Sequence, residues 1–366
     1  MTDMSIRAGW VIIACFCFCT SRGQQETLKW WNPAATHYKP EGQGWPSEVL
    51  YPYDRFPARA KKNVREVVWF KSQQSTGLII KFRTDATYIH IRYKVKDTLF
   101  FEHMPSTGVS GLDLYALNKN GGWSWAGADY IFADTVQYFY NNLAPVGNKT
   151  YYLYLPLYNR VDWLEIGVPT TASFTPVDGN DKGSLVIYGT SIAQGGCASR
   201  PGMAWTAILG RRLHMPVINI GFSSNGQLER PVADLISELD AGMIILDCMP
   251  NMHSFSEAEI TSRLEQTVNI IRSRHPLIPI IIAQHADANI NQMNTSLDKS
   301  FKKVNDFVDR AFKKLKSKSV QNIYFLSAAA IGLTNESTVD GQHPSDLGMK
   351  QYADAYEQLL KKIPAR

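Results

Sequence analysis

The chain has 366 residues, enough for one large domain or two of ordinary size. Hydrophobic residues make up 45% of it and charged ones 19%, so it can bury a core, which excludes a disordered or collagen-like chain. Its net charge of +5 is scattered instead of gathered into a basic stripe, which argues against nucleic acid as a partner.

The first element is a targeting segment. Arg7 precedes an apolar run over residues 8–19, the length of a signal-peptide core and too short to span a bilayer. Ser21 and Gly23 put small residues at −3 and −1 before Gln24, so residues 1–23 read as an export signal and the protein as periplasmic or extracellular. Lipid attachment at Cys15, which follows Ala14, is the alternative; Phe18 speaks against Cys19. Cys15, Cys17 and Cys19 all lie in this segment, which leaves Cys197 and Cys248 and excludes a disulfide-rich scaffold. No other apolar stretch approaches the roughly 20 residues of a membrane-spanning helix.

Residues 24–178 read as an all-β sandwich. Apolar and polar side chains alternate over residues 88–96, the pattern of a half-buried strand, and similar runs fall at 67–71, 77–82, 151–157 and 163–168. Asn120-Gly121-Gly122 marks a turn. Seven of the nine tryptophans lie in this half (Trp30, Trp31, Trp45, Trp69, Trp123, Trp125 and Trp163), either as a sugar-stacking platform or, more plainly, as sandwich core. Residues 174–183 are polar, with a proline and two glycines, and read as a linker.

Residues 184–366 read as an open three-layer α/β domain. Short apolar runs at 185–188, 217–220, 243–246, 278–282 and 323–326 suit parallel strands covered on both faces. Ile260, Leu264, Val268 and Ile271 recur at helical spacing behind a Ser256/Glu259 capping box. Phe301, Val304, Val308 and Leu315 trace a second helix, and residues 347–360 a closing one.

The chemistry gathers where open α/β sheets place reactive groups, beyond the carboxyl ends of the strands. The first strand of this half runs into Gly189-Thr190-Ser191-Ile192-Ala193, which offers Ser191 as a nucleophile; Ala193 excludes the nucleophile elbow of α/β-hydrolases, which needs glycine there. Such turns are common, and the motif gains weight only from Asp340-Gly341-Gln342-His343 ahead of the last helix. Serine needs an imidazole to take its proton, and the imidazole needs a carboxylate to fix its tautomer, so Asp340 would face Nδ1 of His343 and leave Nε2 for Ser191. The plainer reading of that stretch is a surface turn with Asp346 as helix cap. Oxyanion donors are offered by the small-residue loop after Asn219, at Ser224 or Gly226, and by the side chain of Asn251. His253, His275 and His285 are dispersed and share no ligand-like spacing, so neither metal nor cofactor is expected.

These blocks resemble those of the SGNH (GDSL-type) hydrolases, with Gly189-Thr190-Ser191 in place of the usual Gly-Asp-Ser. The resemblance implies a flavodoxin-like α/β fold, a catalytic Ser191, Asp340 and His343, and an oxyanion hole from Ser191 N–H, a glycine N–H and an asparagine. Counted from Asn219, the family glycine falls on Ser224, with Gly226 a rival; the asparagine is Asn251. Gly111-Leu112-Asp113-Leu114-Tyr115 resembles the GxDLY signature of the jelly-roll-like β domain that precedes a subset of these enzymes.

The expected function is therefore a secreted serine esterase acting on short-chain, chiefly acetyl, esters of small molecules or polysaccharides. A thioesterase or lysophospholipase, or a sugar-binding protein with a degenerate hydrolase half, are the alternatives. Arg200 and Trp205 follow the nucleophile loop and are candidates for substrate binding or for helix-start packing. Cys197 and Cys248 lie at adjacent strand ends and are candidates for a disulfide or for two buried thiols.

Overall fold

The structure, a computed structural model, describes residues 27–144, 149–286, 293 and 295–364; the expected export signal at 1–23, with its three cysteines, lies outside the described residues. The first half carries β1 (Leu28–Trp31), α1 (Glu66–Ser72), β2 (Ile79–Thr84), β3 (Ile89–Val95), α2 (Ser106–Val109), β4 (Asp113–Leu117), β5 (Trp123–Ala126), β6 (Asp129–Ile131), β7 (Val136–Tyr140), β8 (Lys149–Tyr154), β9 (Val161–Pro169) and β10 (Phe174–Val177). Its strands form two five-stranded sheets, ordered β1-β9-β3-β7-β6 and β10-β2-β8-β4-β5, with antiparallel pairing throughout. The alternation in β3 sends Ile89, Ile91 and Tyr93 between the sheets to meet Ile80, Phe82 and Leu153, which makes the expected sandwich.

Two local expectations change. Residues 67–71 lie in a helix, α1, whose Val68 and Trp69 are buried. The polar stretch expected as a linker contributes β10, which pairs with β2 from Phe174 to Val177.

The second half carries β11 (Ser184–Gly189), α3 (Ser191–Gln194), α4 (Trp205–Leu213), β12 (Val217–Gly221), α5 (Arg230–Ile236), β13 (Ala241–Asp247), α6 (Glu257–Arg274), β14 (Ile280–Ala283), α7 (Thr295–Ser317), β15 (Ile323–Leu326), α8 (Ala328–Ile331) and α9 (Asp346–Leu360). Its parallel sheet runs β12-β11-β13-β14-β15, the flavodoxin-like order. Val186 and Tyr188 of β11 face one apolar layer with α5, α6 and α7, while Leu185 and Ile187 face the other with α4 and α9. That is why the run is apolar at consecutive positions. The register sets Gly189 opposite both Gly221 and Asp247, so three strand ends form one carboxyl edge.

The packing does not divide where the sequence does. Trp45, Phe56, Val68 and Trp69, from the first half, bury with Ile218, Ile220 and Phe222 in the α/β core. Arg55 is wholly buried there, and its guanidinium donates to the carbonyls of Lys71, Gln74, Asn219 and Gly221. Burial pulls its pKa down to about 9.

Candidate active site

β11 delivers the nucleophile candidate. Thr190 caps the short helix α3, its hydroxyl accepting from the Ile192 N–H at 3.3 Å, and this sharp turn sets Ser191 at the first helical position. Ser191 Oγ lies 2.8 Å from His343 Nε2, and His343 Nδ1 lies 2.7 Å from Asp340 Oδ2. The N–H groups of His343 and Gln342 donate to Asp340 Oδ1 at 2.8 and 3.0 Å. Burial pushes the Asp340 carboxyl up, but these bonds and the imidazole outweigh it, and its pKa falls below the usual carboxylate range. An ionised Asp340 only accepts, so Nδ1 carries the imidazole proton and Nε2 accepts from the Ser191 hydroxyl. Asp346 does not cap α9 with its side chain; it accepts from the backbone and hydroxyl of Ser199 at 2.9 and 2.6 Å, which ties the nucleophile loop to the start of that helix.

Two of the oxyanion candidates, Gly226 and Asn251, meet. Asn251 Oδ1 accepts from the Gly226 N–H at 3.1 Å, which orients the side-chain amide and uses the N–H of the rival glycine. Ser224 lies in the left-handed region at φ 60°, in the cleft with His343. The loop carrying it is held from below: Gln194 Oε1 accepts from the Ser223 N–H at 2.9 Å, and Gln194 Nε2 donates to Gln74 Oε1 at 2.6 Å. Gln74 in turn donates to the Tyr158 carbonyl at 2.9 Å.

The cleft beside Ser191, about 540 Å³, is built largely by the first half of the chain. Phe70, Lys71, Asp97, Phe101, His103 and Tyr158 line it opposite Gly196, Ser224 and His343. The His103 and His343 rings are 6.2 Å apart, and the Tyr158 hydroxyl reaches the Ser191 carbonyl at 3.4 Å. Gly196 sits so close that a Cβ there would meet Tyr158 Oη at 2.9 Å and His343 Cδ2 at 3.2 Å. None of these first-half residues was singled out for the site from sequence, because each lies in a stretch with no motif.

The structure takes one side of three open alternatives. Trp205 is fully buried, stacks on Tyr356 at 4.5 Å and donates to the Ile192 carbonyl at 3.0 Å, so it is core and not a substrate contact. Arg200 is engaged by the GxDLY segment: it pairs with Asp113, donates to the Tyr115 hydroxyl at 2.8 Å and packs over the Trp125 ring at 4.3 Å. Asp113 also accepts from the Gly202 N–H at 2.9 Å, so the signature clamps the two halves together. Cys197 and Cys248 are both free and buried. They belong to the apolar layers on opposite faces of the parallel sheet, which keeps adjacent strand ends from bringing their sulfurs together. Among the described residues no three His, Cys, Asp or Glu side chains are grouped to hold a metal ion, and no helix is long and apolar enough to cross a membrane.

A parallel sheet that presents a Ser-His-Asp constellation at its carboxyl edge defines a serine hydrolase architecture. Residues 182–361 match the model of the GDSL-like lipase/acylhydrolase family, and residues 28–174 match GxDLY, the N-terminus of SGNH hydrolase-type esterases. A solved structure from Bacteroides ovatus, described as a GDSL-like lipase, is 32% identical over 93% of this chain and all of its own, with a TM-score of 0.83. The chain belongs to the GDSL-like (SGNH) acylhydrolase family, in the form that carries the GxDLY domain. The fold is shared at lower identity with a salicylyl-acyltransferase from a tetracycline biosynthetic pathway (21%, 93% of this chain and 99% of that one, TM-score 0.72). It is also shared with a family two carbohydrate esterase from Cellvibrio japonicus (10%, 92% and 99%, TM-score 0.57). No match is found among curated proteins.

Proposed function

We propose that the protein is an exported serine esterase that removes short acyl groups, acetyl above all, from hydroxyl-rich carbohydrate substrates. The observation that carries this reading is the continuous chain from Asp340 through His343 to Ser191, at 2.7 and 2.8 Å. His343 Nε2 takes the proton as Ser191 Oγ attacks the ester carbonyl, and Asp340 stabilises the imidazolium. The oxyanion is met by the Ser191 and Ser224 N–H groups and the Asn251 amide. His343 then protonates the leaving alcohol, and water attacks the acyl-enzyme with His343 again as base. Lys71, Asp97 and His103 in the cleft suit a polar leaving alcohol better than the long apolar chain of a lysophospholipid. Export rests on residues 1–23 alone.

Ser191→Ala is expected to abolish hydrolysis of a nitrophenyl acetate while leaving the melting temperature unchanged; turnover at the wild-type rate would overturn the assignment. Acetate release from a panel of acetylated glycans, with acyl length varied in parallel, tests the substrate. A preference for eight-carbon over two-carbon acyl groups would exclude the acetylesterase reading.

A further inference from the structure

A second cavity, about 290 Å³, lies between the outer face of the β10-β2-β8-β4-β5 sheet and helix α4. It shares no lining residue with the catalytic cleft. Strand alternation makes its wall: Tyr152 and Tyr154 of β8 face outward because Tyr151 and Leu153 face the sandwich core, and Trp123 of β5 meets Tyr152 edge-on at 4.7 Å. The opposite wall is α4, with Thr206, Ala207 and Arg211.

Arg211 is 8% exposed. Its Nη2 donates to the Gly202 carbonyl at 2.7 Å, and its guanidinium lies 4.0 Å over the Tyr115 ring. Its Nη1 has no hydrogen-bond partner. Among the described residues no carboxylate lies within ion-pair distance of it, whereas the other charged pair of the cavity, Lys81 and Glu41, satisfies itself at 2.8 Å. The Arg211 guanidinium also lies 5.4 Å over the Tyr154 ring and hydrogen-bonds the Tyr154 hydroxyl, so what the cavity lacks is a carboxylate to balance this one excess positive charge. A buried cation without a counter-charge is costly, so its place in this cavity points to an anionic occupant. The Thr206 hydroxyl accepts from Asn219 Nδ2 at 3.1 Å and still has its own hydrogen to give.

We propose that this cavity binds a small monoanion, a six-membered ring bearing one carboxylate, with the carboxylate on Arg211 and the ring between the aromatic wall and α4. A single excess cation suits a monocarboxylate and not a dianion, whose second charge would be buried unpaired. The volume takes one substituted ring and little more. Two kinds of molecule share this chemistry, a sugar acid and an aromatic acid, and neither depends on the esterase reading.

The test is calorimetric titration of the full chain with glucuronate and with 4-hydroxybenzoate, using glucose and phenol as neutral counterparts. At least one acid is expected to bind at least about tenfold more tightly than its counterpart, the difference a charge-assisted hydrogen bond makes. Which acid binds identifies the source. Ala207→Phe, which fills the cavity, and Arg211→Gln, which removes the charge, are each expected to weaken binding about tenfold or more while nitrophenyl acetate hydrolysis stays at the wild-type rate. Ala207→Phe leaves the Arg211 contacts in place, so it decides the matter if Arg211→Gln fails to fold. Absence of binding by both acids, equal binding of acid and neutral ring, or binding that survives Ala207→Phe would each overturn the proposal.

Discussion

Ser224 holds a backbone conformation that an L-residue adopts only against a steric cost of about 1–2 kcal/mol. Glycine has no such cost, and its backbone still presents the N–H. Ser224→Gly is therefore expected to keep ester hydrolysis within about twofold of wild type and to raise stability by up to about 1 kcal/mol, read from chemical denaturation. Asn251→Ala removes a side-chain donor that no backbone group replaces, and its kcat is expected to fall about 10²- to 10³-fold with KM little changed. Equal losses from both substitutions would show that Ser224 acts through its side chain. Counting along the sequence could not separate Ser224 from Gly226, since either offers an N–H. In the structure the Gly226 N–H is already bonded to Asn251 Oδ1, and the paired substitutions above test whether Ser224 takes the role.

Among the elements, what was legible was chemistry contained in one turn. Asp340 and His343 share a tight turn, and Ser191 directly follows its strand, so a few residues of sequence display the whole arrangement. Short continuous apolar runs located all five parallel strands, and helical periodicity the long helices α6 and α7. The run at residues 67–71 was misread as a strand, because four consecutive apolar residues are too few to separate the two periods. The support of the oxyanion loop was invisible for another reason: Gln74 meets Gln194 across 120 residues and Tyr158 across 84, and an isolated glutamine carries no pattern. Gln74→Met keeps the volume but leaves the Gln194 amide and the Tyr158 carbonyl short of a buried partner, which costs about 1–3 kcal/mol each. As Gln74 acts through Gln194 on the Ser223–Ser224 backbone, kcat should fall while KM for nitrophenyl acetate stays near wild type. An unchanged kcat in a merely less stable protein would reduce Gln74 to packing.

At the scale of the whole molecule, the first half is part of the hydrolase and not an appendage to it. It lines most of the cleft, clamps Arg200 through Asp113, and threads Arg55 into the carbonyls at the end of β12. It also lends Trp45, Phe56, Val68 and Trp69 to the α/β core. Composition along the chain could not show this, since a buried side chain leaves no trace of which partner it packs against. Burial of four such side chains contributes roughly 6–12 kcal/mol at about 1.5–3 each, comparable with the whole stability of an ordinary domain, about 5–15 kcal/mol. Residues 182–366 expressed alone are therefore expected to lack a cooperative thermal transition and to hydrolyse no ester, with circular dichroism and nitrophenyl acetate turnover as the measurements. Supplying residues 24–181 as a separate chain should restore both, because the contacts are non-covalent. A fragment that melts cooperatively and turns over substrate unaided would show that the catalytic cleft needs only its own half.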